Sequence, residues 1–275
     1  MRQRIIAALC GIPVLLAFVW FETPWFSLLI LLVAAFAAIG ALEFYGLAAL
    51  SGGRPLTLFG IVWTLLFIVS AHLDATYEVD YIAPSLLGSA IALPLIWLFF
   101  VPPRGVIFVR WAWTLAGILY MGWMLGHYVA LRELDQGKEW VIFALFSAFA
   151  CDTAAFLTGR TWGRRPLAPT ISPGKTWEGA IGGFIAALAA ASILYTLLDV
   201  VGLSLPVSYA QTILLGCFIG LFAQIGDLSE SLLKRRAGVK DSGSLIPGHG
   251  GILDRIDSLV FTGVIVYYYV IWVVE

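Results

Sequence analysis

Charged residues are scarce in this chain of 275 residues, making up 12% of it, whereas soluble domains carry roughly 25%. Hydrophobic residues make up 61%, and the mean hydropathy is +0.95. Water cannot hold that much apolar surface, so a soluble protein is excluded and the solvent of the fold must be largely lipid. The formal net charge of −1 points to no particular partner, and no nucleic-acid partner is expected.

Cysteine is also rare, with Cys10, Cys151 and Cys217 each lying in or beside an apolar run. The chain has no C-x-x-C pair and no histidine near a cysteine at metal-ligand spacing. This argues against a disulfide framework and a cysteine-based metal site, and predicts three small core residues.

What the chain does have is a succession of apolar runs about 20 residues long, the length that crosses about 30 Å of hydrocarbon. No A-x-A-like cleavage site follows the first run, so we expect it to stay as a helix. Pro13 and Pro94 predict kinks or local breaks inside their helices. We predict an all-α polytopic integral membrane protein with about nine transmembrane helices, at 5–21, 25–49, 56–73, 81–101, 111–131, 139–158, 177–198, 207–226 and 257–274.

The basic residues predict the orientation of these helices. With the N-terminus in the cytoplasm and nine alternating spans, only Arg132 and Lys138 of the 16 Lys and Arg residues fall outside. The positive-inside rule therefore favours a cytoplasmic N-terminus and an outer C-terminus. Residues 1–275 form one membrane domain in this prediction. Generic spans occupy 1–131, and the catalytic helices occupy 139–275, with cytoplasmic loops 159–176 and 227–256.

Two acidic pairs flank the second of these loops. Asp254 and Asp257 are three residues apart and share a helix face, and Asp227 and Glu230 repeat that spacing. Taken alone, either pair reads as a solvated helix end. Two pairs around one loop favour a metal, because Mg²⁺ binds through one or two carboxylates together with substrate phosphates.

Basic side chains are mixed with these acids, at Lys234, Arg235, Lys240, Arg255 and His249. Mixed signs suit a metal–phosphate site, since the basic groups neutralise phosphate oxygens that the metal leaves free. The P-G-H-G-G run adds a glycine-rich turn, whose backbone N–H groups can approach a phosphate closely. Taken alone, that run is equally typical of a flexible loop.

The earlier polar segment, at 151–180, also contains functional candidates. Asp152 lies deep in an apolar span, where a charge is costly and a functional role is expected. Lys175 and Thr176 precede a helix expected to begin near Trp177, and a helix N-terminus is a natural anion site. The stretch lacks the first glycine and the preceding strand of a Walker A loop, so that interpretation is rejected.

Residues 231–257 read S-x-L-K-R-x₄-K-D-x-G-x₂-I-P-x-H-G-G-I-x-D-R-I-D, which resembles the signature of the phosphatidate cytidylyltransferases, or CDP-diacylglycerol synthases. D-T-x-A-F-x-x-G-R at 152–160 and S-P-x-K-T-W-E-G at 172–179 resemble further segments of that family, in the same order. Ala154 stands where relatives often have Gly, and Gly174 where they often have Lys. The second departure leaves any phosphate contact there to Lys175.

The resemblance implies the conversion of CTP and phosphatidate into CDP-diacylglycerol and diphosphate, in phospholipid biosynthesis. It implies Mg²⁺ held mainly by Asp227 and Asp254, with Asp257 or Glu230 next, and a monovalent cation such as K⁺ beside it. His249 is expected either to hydrogen-bond a phosphate or to donate a proton. The expected catalytic residues are Asp227, Asp254, Lys240, His249 and Arg255. The expected phosphate-binding residues are Ser172, Lys175, Thr176, Lys234, Arg235, Gly250 and Gly251, and further polar candidates are Asp152, Glu178 and Asp241.

The implied setting is the inner (plasma) membrane of a bacterium, with the active site facing the cytoplasm, membrane lipids around the helices and a homodimer as the assembly. Two alternatives stay open. A CTP-dependent lipid kinase, acting on a polyprenol or similar alcohol, would attack the γ-phosphorus instead. A transporter would use Asp152 and Glu43 as ion-coupling residues, but such residues belong near the bilayer midplane and often in paired halves.

Overall fold

The computed structural model describes residues 2–23, 25–77, 79, 81–100, 106–243 and 250–274. In it, each predicted span is occupied by an apolar helical segment. For residues 2–10 it describes the backbone alone. The helices are α1 Arg2–Trp20, α2 Leu29–Leu50, α3 Thr57–Tyr77, α4 Ile82–Phe99, α5 Ile107–Gly117, α6 Met124–Glu133, α7 Gly137–Trp162, α8 Trp177–Val200, α9 Tyr209–Arg236 and α10 Leu253–Tyr269.

Within the described residues, eight helical segments are long and apolar enough to cross a membrane. Helix α1 adds a shorter apolar stretch at Gly11–Trp20. One of the eight segments is Ile107–Glu133, in which a π-helical turn at Ile118–Trp123 joins α5 to α6, and α10 ends in another at Val270–Val274. The chain is thus an all-α polytopic membrane protein, as predicted.

Neither Pro13 nor Pro94 breaks its helix. Helices α1 and α4 continue through Pro13 and Pro94, whereas the π-helical turn occurs at Ile118–Trp123, where the sequence has no proline. Gly122 lies in that turn, and a Cβ there would meet the Cα of Thr64 on α3 at 2.8 Å. Close approach to α3 therefore accompanies the change in winding.

Several helices extend beyond their predicted spans, and three of these extensions lie in the predicted loops 159–176 and 227–256, which places site residues on helices. Helix α7 ends at Trp162 rather than near 158, α9 ends at Arg236 rather than near 226, and α10 begins at Leu253 rather than near 257. The predicted spans followed hydropathy, which marks the apolar part of a helix and not its end. A helix continues past the apolar region when neighbouring helices bind its polar side chains.

A β-hairpin, which the sequence analysis did not predict, lies in the segment between α7 and α8. Strand β1 (Pro166–Ala168) pairs antiparallel with β2 (Ser172–Thr176), with Pro166 opposite Thr176 and Ala168 opposite Ser172. Helix α8 begins directly after β2, and the Thr176 hydroxyl caps it by accepting a hydrogen bond from Gly179 N–H at 3.1 Å. The hairpin therefore feeds straight into the start of α8.

Helices α7 to α10 pack together through small residues. A Cβ on Gly183 of α8 would lie 2.8 Å from the carbonyl oxygen of Cys151 on α7. One turn further along α8, a Cβ on Gly220 of α9 would lie 3.1 Å from the Cβ of Ala187. Gly216, one turn earlier on α9, meets Ala191 in the same way, at 2.9 Å. Lipid provides no hydrophobic force between helices, so close backbone contact of this kind has to hold them.

Of the three cysteines, Cys151 is free and buried and Cys217 is free and partly buried. Both therefore fit the expectation of small core residues. Cys10 lies in the stretch for which the structure describes only the backbone.

Candidate active site

The charged residues of the candidate site gather where α9 ends and α10 begins, beside the hairpin. We call this region the polar end; it comprises 163–177, the last turns of α9 from Gly226, residues 237–243 and 250–252, the first turns of α10, and two acids that contact them, Glu43 on α2 and Asp152 on α7. Helix α9 brings Asp227, Glu230 and Lys234 along one face, at spacings of three and four residues. The two acidic pairs that the sequence placed around a loop therefore lie on the end of α9 and the start of α10.

Lys234 is the centre of the first group of charges. Its Nζ lies 2.5 Å from Oδ1 of Asp254 and also pairs with Oε2 of Glu230, whose side chain is fully buried. The other Asp254 oxygen, Oδ2, accepts hydrogen bonds from the backbone N–H groups of Ser242 and Gly251, both at 2.9 Å. Asp254 is therefore held from three directions, which fixes its carboxylate at the start of α10.

Lys175 makes the second charged contact. Its Nζ lies 2.7 Å from Oδ1 of Asp227, so the hairpin is tied to α9 by an ion pair. Arg235 adds a second tie, since its Nε donates to the carbonyl oxygen of Ile171 at 3.0 Å. These contacts bring together two segments that are some sixty residues apart in sequence.

A third group of acids lies beneath the first two. Asp152 on α7 accepts a 2.6 Å hydrogen bond from the Ser258 hydroxyl, and the buried Asp257 accepts one from the Ser258 backbone N–H at 2.8 Å. Gly226 permits this arrangement, because a Cβ there would lie 2.3 Å from the carbonyl oxygen of Asp257. Helices α9 and α10 thus touch backbone to backbone at the level of these carboxylates.

Two cavities meet at Asp152 and Asp227, which line both. The larger, of about 820 Å³, also takes in Asp254, Arg255 and Asp257, and its remaining wall is mostly apolar. That wall comes from five helices, α1, α2, α6, α7 and α10, and includes Ile12, Leu15, Leu32, Phe36, Tyr128 and Phe149. The smaller, of about 420 Å³, lies against the hairpin and takes in Arg160, Gly174, Lys175, Thr176 and Gln224.

The donor set of the polar end fits a divalent cation that shares its ligands with a substrate. Asp152, Asp227, Asp254 and Asp257 line one cavity, and carboxylate oxygens are what Mg²⁺ prefers. Glu230 carries a further buried oxygen, Oε1, that has no hydrogen-bond donor among the described residues. Within the same part of the chain, no three Asp, Glu, His or Cys side chains are grouped closely enough to hold an ion unaided.

The structure divides the expected site residues into groups. It brings Asp227, Lys175, Glu230, Lys234, Asp254 and Asp257 together, with Arg255 beside them on the larger cavity. Lys240 and Asp241 are exposed next to this group, and Ser172 begins β2. His249 lies outside the described residues. The assignment of roles to these residues stays a prediction.

Several expected phosphate-binding or polar groups already have protein partners. The Thr176 hydroxyl caps α8, and Glu178 Oε2 accepts hydrogen bonds from the N–H groups of Arg164 and Arg165 at 3.0 and 3.2 Å. The Gly251 N–H donates to Asp254. Gly250 has φ of +76°, and a Cβ there would lie 2.6 Å from Asp254 Oδ2. The two glycines therefore leave room for this carboxylate as well as for any ligand.

Sequence reasoning gave Glu43 a role only in a transporter, but the structure places it at the polar end. Its carboxylate accepts hydrogen bonds from the N–H groups of Ile252 and Leu253. The sequence reasoning also missed Ser242 and Ser258, whose side chains and backbone N–H groups connect carboxylates. A lone carboxylate in an apolar span was the signal for Glu43, as it was for Asp152. Serine in a polar loop offers no comparable signal.

Comparison with known proteins supplies independent information. A model of the cytidylyltransferase family matches residues 2–273. The phosphatidate cytidylyltransferase of Bacillus subtilis (strain 168) is 31% identical over 272 residues, which cover 98% of this chain and 97% of that protein. The phosphatidate cytidylyltransferase of Brucella suis biovar 1 (strain 1330) is 34% identical over 274 residues, covering 97% and 92%. The chloroplastic phosphatidate cytidylyltransferase 4 of Arabidopsis thaliana is 39% identical over 188 residues, covering 59% and 46%.

Proposed function

The chain belongs to the cytidylyltransferase family, and from that premise we propose that it is a phosphatidate cytidylyltransferase, which converts CTP and phosphatidate into CDP-diacylglycerol and diphosphate. The observation that carries the proposal is the meeting of two unlike cavities at Asp152 and Asp227. The larger is mostly apolar with an acidic end, and the smaller is lined by Lys175 and Arg160. This is the arrangement that a lipid with a phosphate head and a water-soluble nucleotide require.

In the proposed reaction, an oxygen of the phosphatidate phosphate attacks the α-phosphorus of CTP. A new P–O bond forms to the α-phosphorus, the bond from that phosphorus to the oxygen bridging it to the β-phosphate breaks, and diphosphate leaves with that electron pair. Phosphatidate is already an anion, so the reaction needs no side-chain nucleophile. The protein contributes positioning and charge neutralisation.

The residues at the junction of the cavities take specific parts in the proposal. Lys175 lies where the nucleotide phosphates would enter and neutralises their charge, while Asp227 holds the lysine ammonium in place at 2.7 Å. Arg255 lies on the larger cavity, where the phosphatidate head would arrive. Lys234 pairs with Asp254 and orients its carboxylate through their 2.5 Å contact.

Mg²⁺ belongs to the proposal, with Asp227 and Asp254 as the residues that would hold it and Asp257 or Glu230 as the next. When bound, it would neutralise phosphate oxygens and polarise the α-phosphorus. The excess of acids that line the larger cavity favours such a cation. Asp152, Asp227, Asp254 and Asp257 line it, and Arg255 is the basic residue among the described lining. The expected K⁺ stays a prediction.

The test of the reaction uses labelled CTP with purified protein and phosphatidate in detergent micelles. We expect label at the α-phosphorus to enter the lipid and label at the γ-phosphorus to be released as diphosphate. Transfer of the γ-label to lipid would instead identify a lipid kinase, and transfer of neither label would overturn the proposal.

We also propose that the polar end faces the cytoplasm of a bacterial cell, where CTP is available, with the chain in the plasma membrane. Support comes from the Lys and Arg residues, most of which fall on the same side of the predicted membrane topology as the polar end. In a cysteine-free version, Asp241→Cys should react with a membrane-impermeant thiol reagent only from the cytoplasmic side and Asp135→Cys only from outside. Both positions are exposed in the structure, and reversed labelling would contradict the orientation. The homodimer stays a prediction.

A further inference from the structure

Glu43 lies on α2, in the N-terminal half, yet it caps a helix of the C-terminal half. Its Oε1 accepts a hydrogen bond from the Ile252 N–H at 3.0 Å, and its Oε2 accepts one from the Leu253 N–H at 2.8 Å. Helix α10 begins at Leu253, and its own preceding residue provides no side-chain cap. The first N–H groups of a helix need acceptors, and a carboxylate also interacts favourably with the positive end of the helix dipole.

The same carboxylate is connected to Asp254 through one hydroxyl. The Ser242 oxygen lies 2.9 Å from Oε2 of Glu43 and 2.9 Å from Oδ2 of Asp254. A hydroxyl has one proton and so donates to one of these oxygens at a time. The Ser242 backbone N–H donates to Asp254 as well, at 2.9 Å, which keeps the serine in place between the two acids.

The chain around Glu43 is shaped to fit it. A Cβ on Gly251 would lie 2.2 Å from Oε2 of Glu43, and a Cβ on Gly243 would lie 2.5 Å from Oε1. Both distances are too short for any real carbon–oxygen contact, so only glycine allows the backbone to approach the carboxylate on two sides. The contact is therefore a fitted joint between α2 and the start of α10.

Asp254 lies in the first turn of α10, so the direction of its carboxylate depends on where that helix begins and how its first turn is held. We propose that Glu43 is a positioning residue, which fixes the start of α10 and the Ser242 bridge so that Asp254 keeps its place in the lining of the larger cavity. This inference rests on the proposed function for its activity readout.

Helix α2 also links this joint to the larger cavity. Leu29, Leu32, Val33 and Phe36 of α2 line that cavity, and Glu43 lies seven residues after Phe36, about 10 Å along the helix axis. The N-terminal half therefore contributes both a wall of the larger cavity and the carboxylate that caps the start of α10, where Asp254 lies. Helix α2 thus connects the proposed lipid cavity with the first turn of α10.

The principal test is Glu43→Gln, which keeps the shape but replaces one acceptor oxygen with an NH₂ group that faces a donor. We expect kcat to fall by about 10- to 100-fold, the usual effect of losing a group that orients a site residue, with the KM for CTP changed less than about threefold. Hydrogen–deuterium exchange should accelerate in the peptide that covers 250–256, where the Ile252 and Leu253 amides lose their acceptor. Glu43→Asp, which keeps the charge, should recover part of kcat.

The matched control is Glu133→Gln. Glu133 also bridges helices through its carboxylate, 3.2 Å from Nδ1 of His72, but at the opposite end of α6 from the polar end. It should leave kcat and the exchange of 250–256 unchanged. Normal kcat or normal exchange in folded Glu43→Gln would overturn the inference.

If Glu43→Gln does not fold, Ser242→Ala decides the matter, because it removes the hydroxyl bridge alone. We expect kcat about 5- to 10-fold lower with an unchanged KM for CTP, which lies within the usual net effect of losing one hydrogen bond. Unchanged kcat there would also overturn the inference. Failure of the wild-type protein to make CDP-diacylglycerol would count against the proposed function instead, and the exchange measurement would still test the joint.

Discussion

The two halves of the molecule are held together by different means. In α2 to α6, large side chains lie between helices, and the close contact of Gly122 with α3 is a local exception. Tyr45 on α2 is buried and donates from its hydroxyl to the carbonyl oxygen of Thr114 on α5 at 2.9 Å. In α7 to α10, backbones touch at glycine and alanine, and charged side chains cluster at one end.

This difference affects how far the distance between neighbouring helices can vary. Interfaces built of large side chains can adjust by changing rotamers, whereas backbone contacts fix the distance between helices. The carboxylates and lysines of the polar end project from the helices with fixed spacing. Glu43 is the exception, a charged residue of the N-terminal half built into the C-terminal one.

The largest expected effect comes from Asp254→Asn. The amide loses the charge that Lys234 neutralises and sets an NH₂ group against backbone donors. CDP-diacylglycerol formation in micelles should fall by at least about 10³-fold, the upper range for removing one electrostatic group from a site. Asp199→Asn, an exposed acid near the other end of α8, is the control. Activity within a few-fold of wild type would remove Asp254 from the site.

Lys175→Ala should have the next largest effect. We expect kcat/KM for CTP to fall by about 10²-fold, equivalent to about 2.7 kcal/mol, with a raised KM. Lys175→Arg should recover part of it, because the charge matters more than the shape. Lys138→Ala is the matched control, since Lys138 also pairs with an acid, Glu22. Unaltered CTP kinetics in Lys175→Ala would mean that the hairpin and α9 do not form one site.

Two glycine substitutions compare the halves directly. A Cβ at Gly226 would meet the Asp257 carbonyl oxygen at 2.3 Å, and one at Gly60 would meet the Tyr45 hydroxyl at 2.1 Å. Each alanine should destabilise the protein by about 1–3 kcal/mol, the usual cost of overpacking. Gly226→Ala should also lower kcat of the folded enzyme, whereas Gly60→Ala should not. Equal kcat in both folded variants would contradict the claim that helix spacing matters for catalysis only in the C-terminal half.

The smallest expected effect concerns Glu22, outside the spans. The hydrogen bond from Arg132 and the charge of Lys138 lower the pKa of Glu22, so its contribution to stability is present above the unfolded pKa and is lost as pH falls through the folded one. Glu22→Gln should cost less than about 1 kcal/mol at pH 7, because the carboxylate is half exposed. Thermal unfolding should show the difference shrinking below about pH 4, with activity at pH 7 unchanged. A difference independent of pH would contradict this account.

The sequence predicted the helices and the chemistry better than the geometry that connects them. Runs of apolar residues indicate spans, and the lone Asp152 indicates a function, because lipid penalises polar groups strongly. The predicted span for α9 ended ten residues before the helix does. The part of the helix that carries Asp227 and Lys234 past the apolar region is stabilised by partners that only the fold supplies. The joint at Glu43 was equally hidden, because its acceptors and donors are about 200 residues apart.

The contact between α8 and α9, where Gly216 and Gly220 meet Ala191 and Ala187, has a consequence for heat capacity. In water, separating packed surfaces hydrates them, and this hydration makes protein stability curve with temperature and fade in the cold. In lipid, separated helices meet acyl chains instead, so little hydration changes. Glycine and alanine also have almost no rotamer entropy to lose. This contact should therefore persist on cooling, as the membrane around it stiffens.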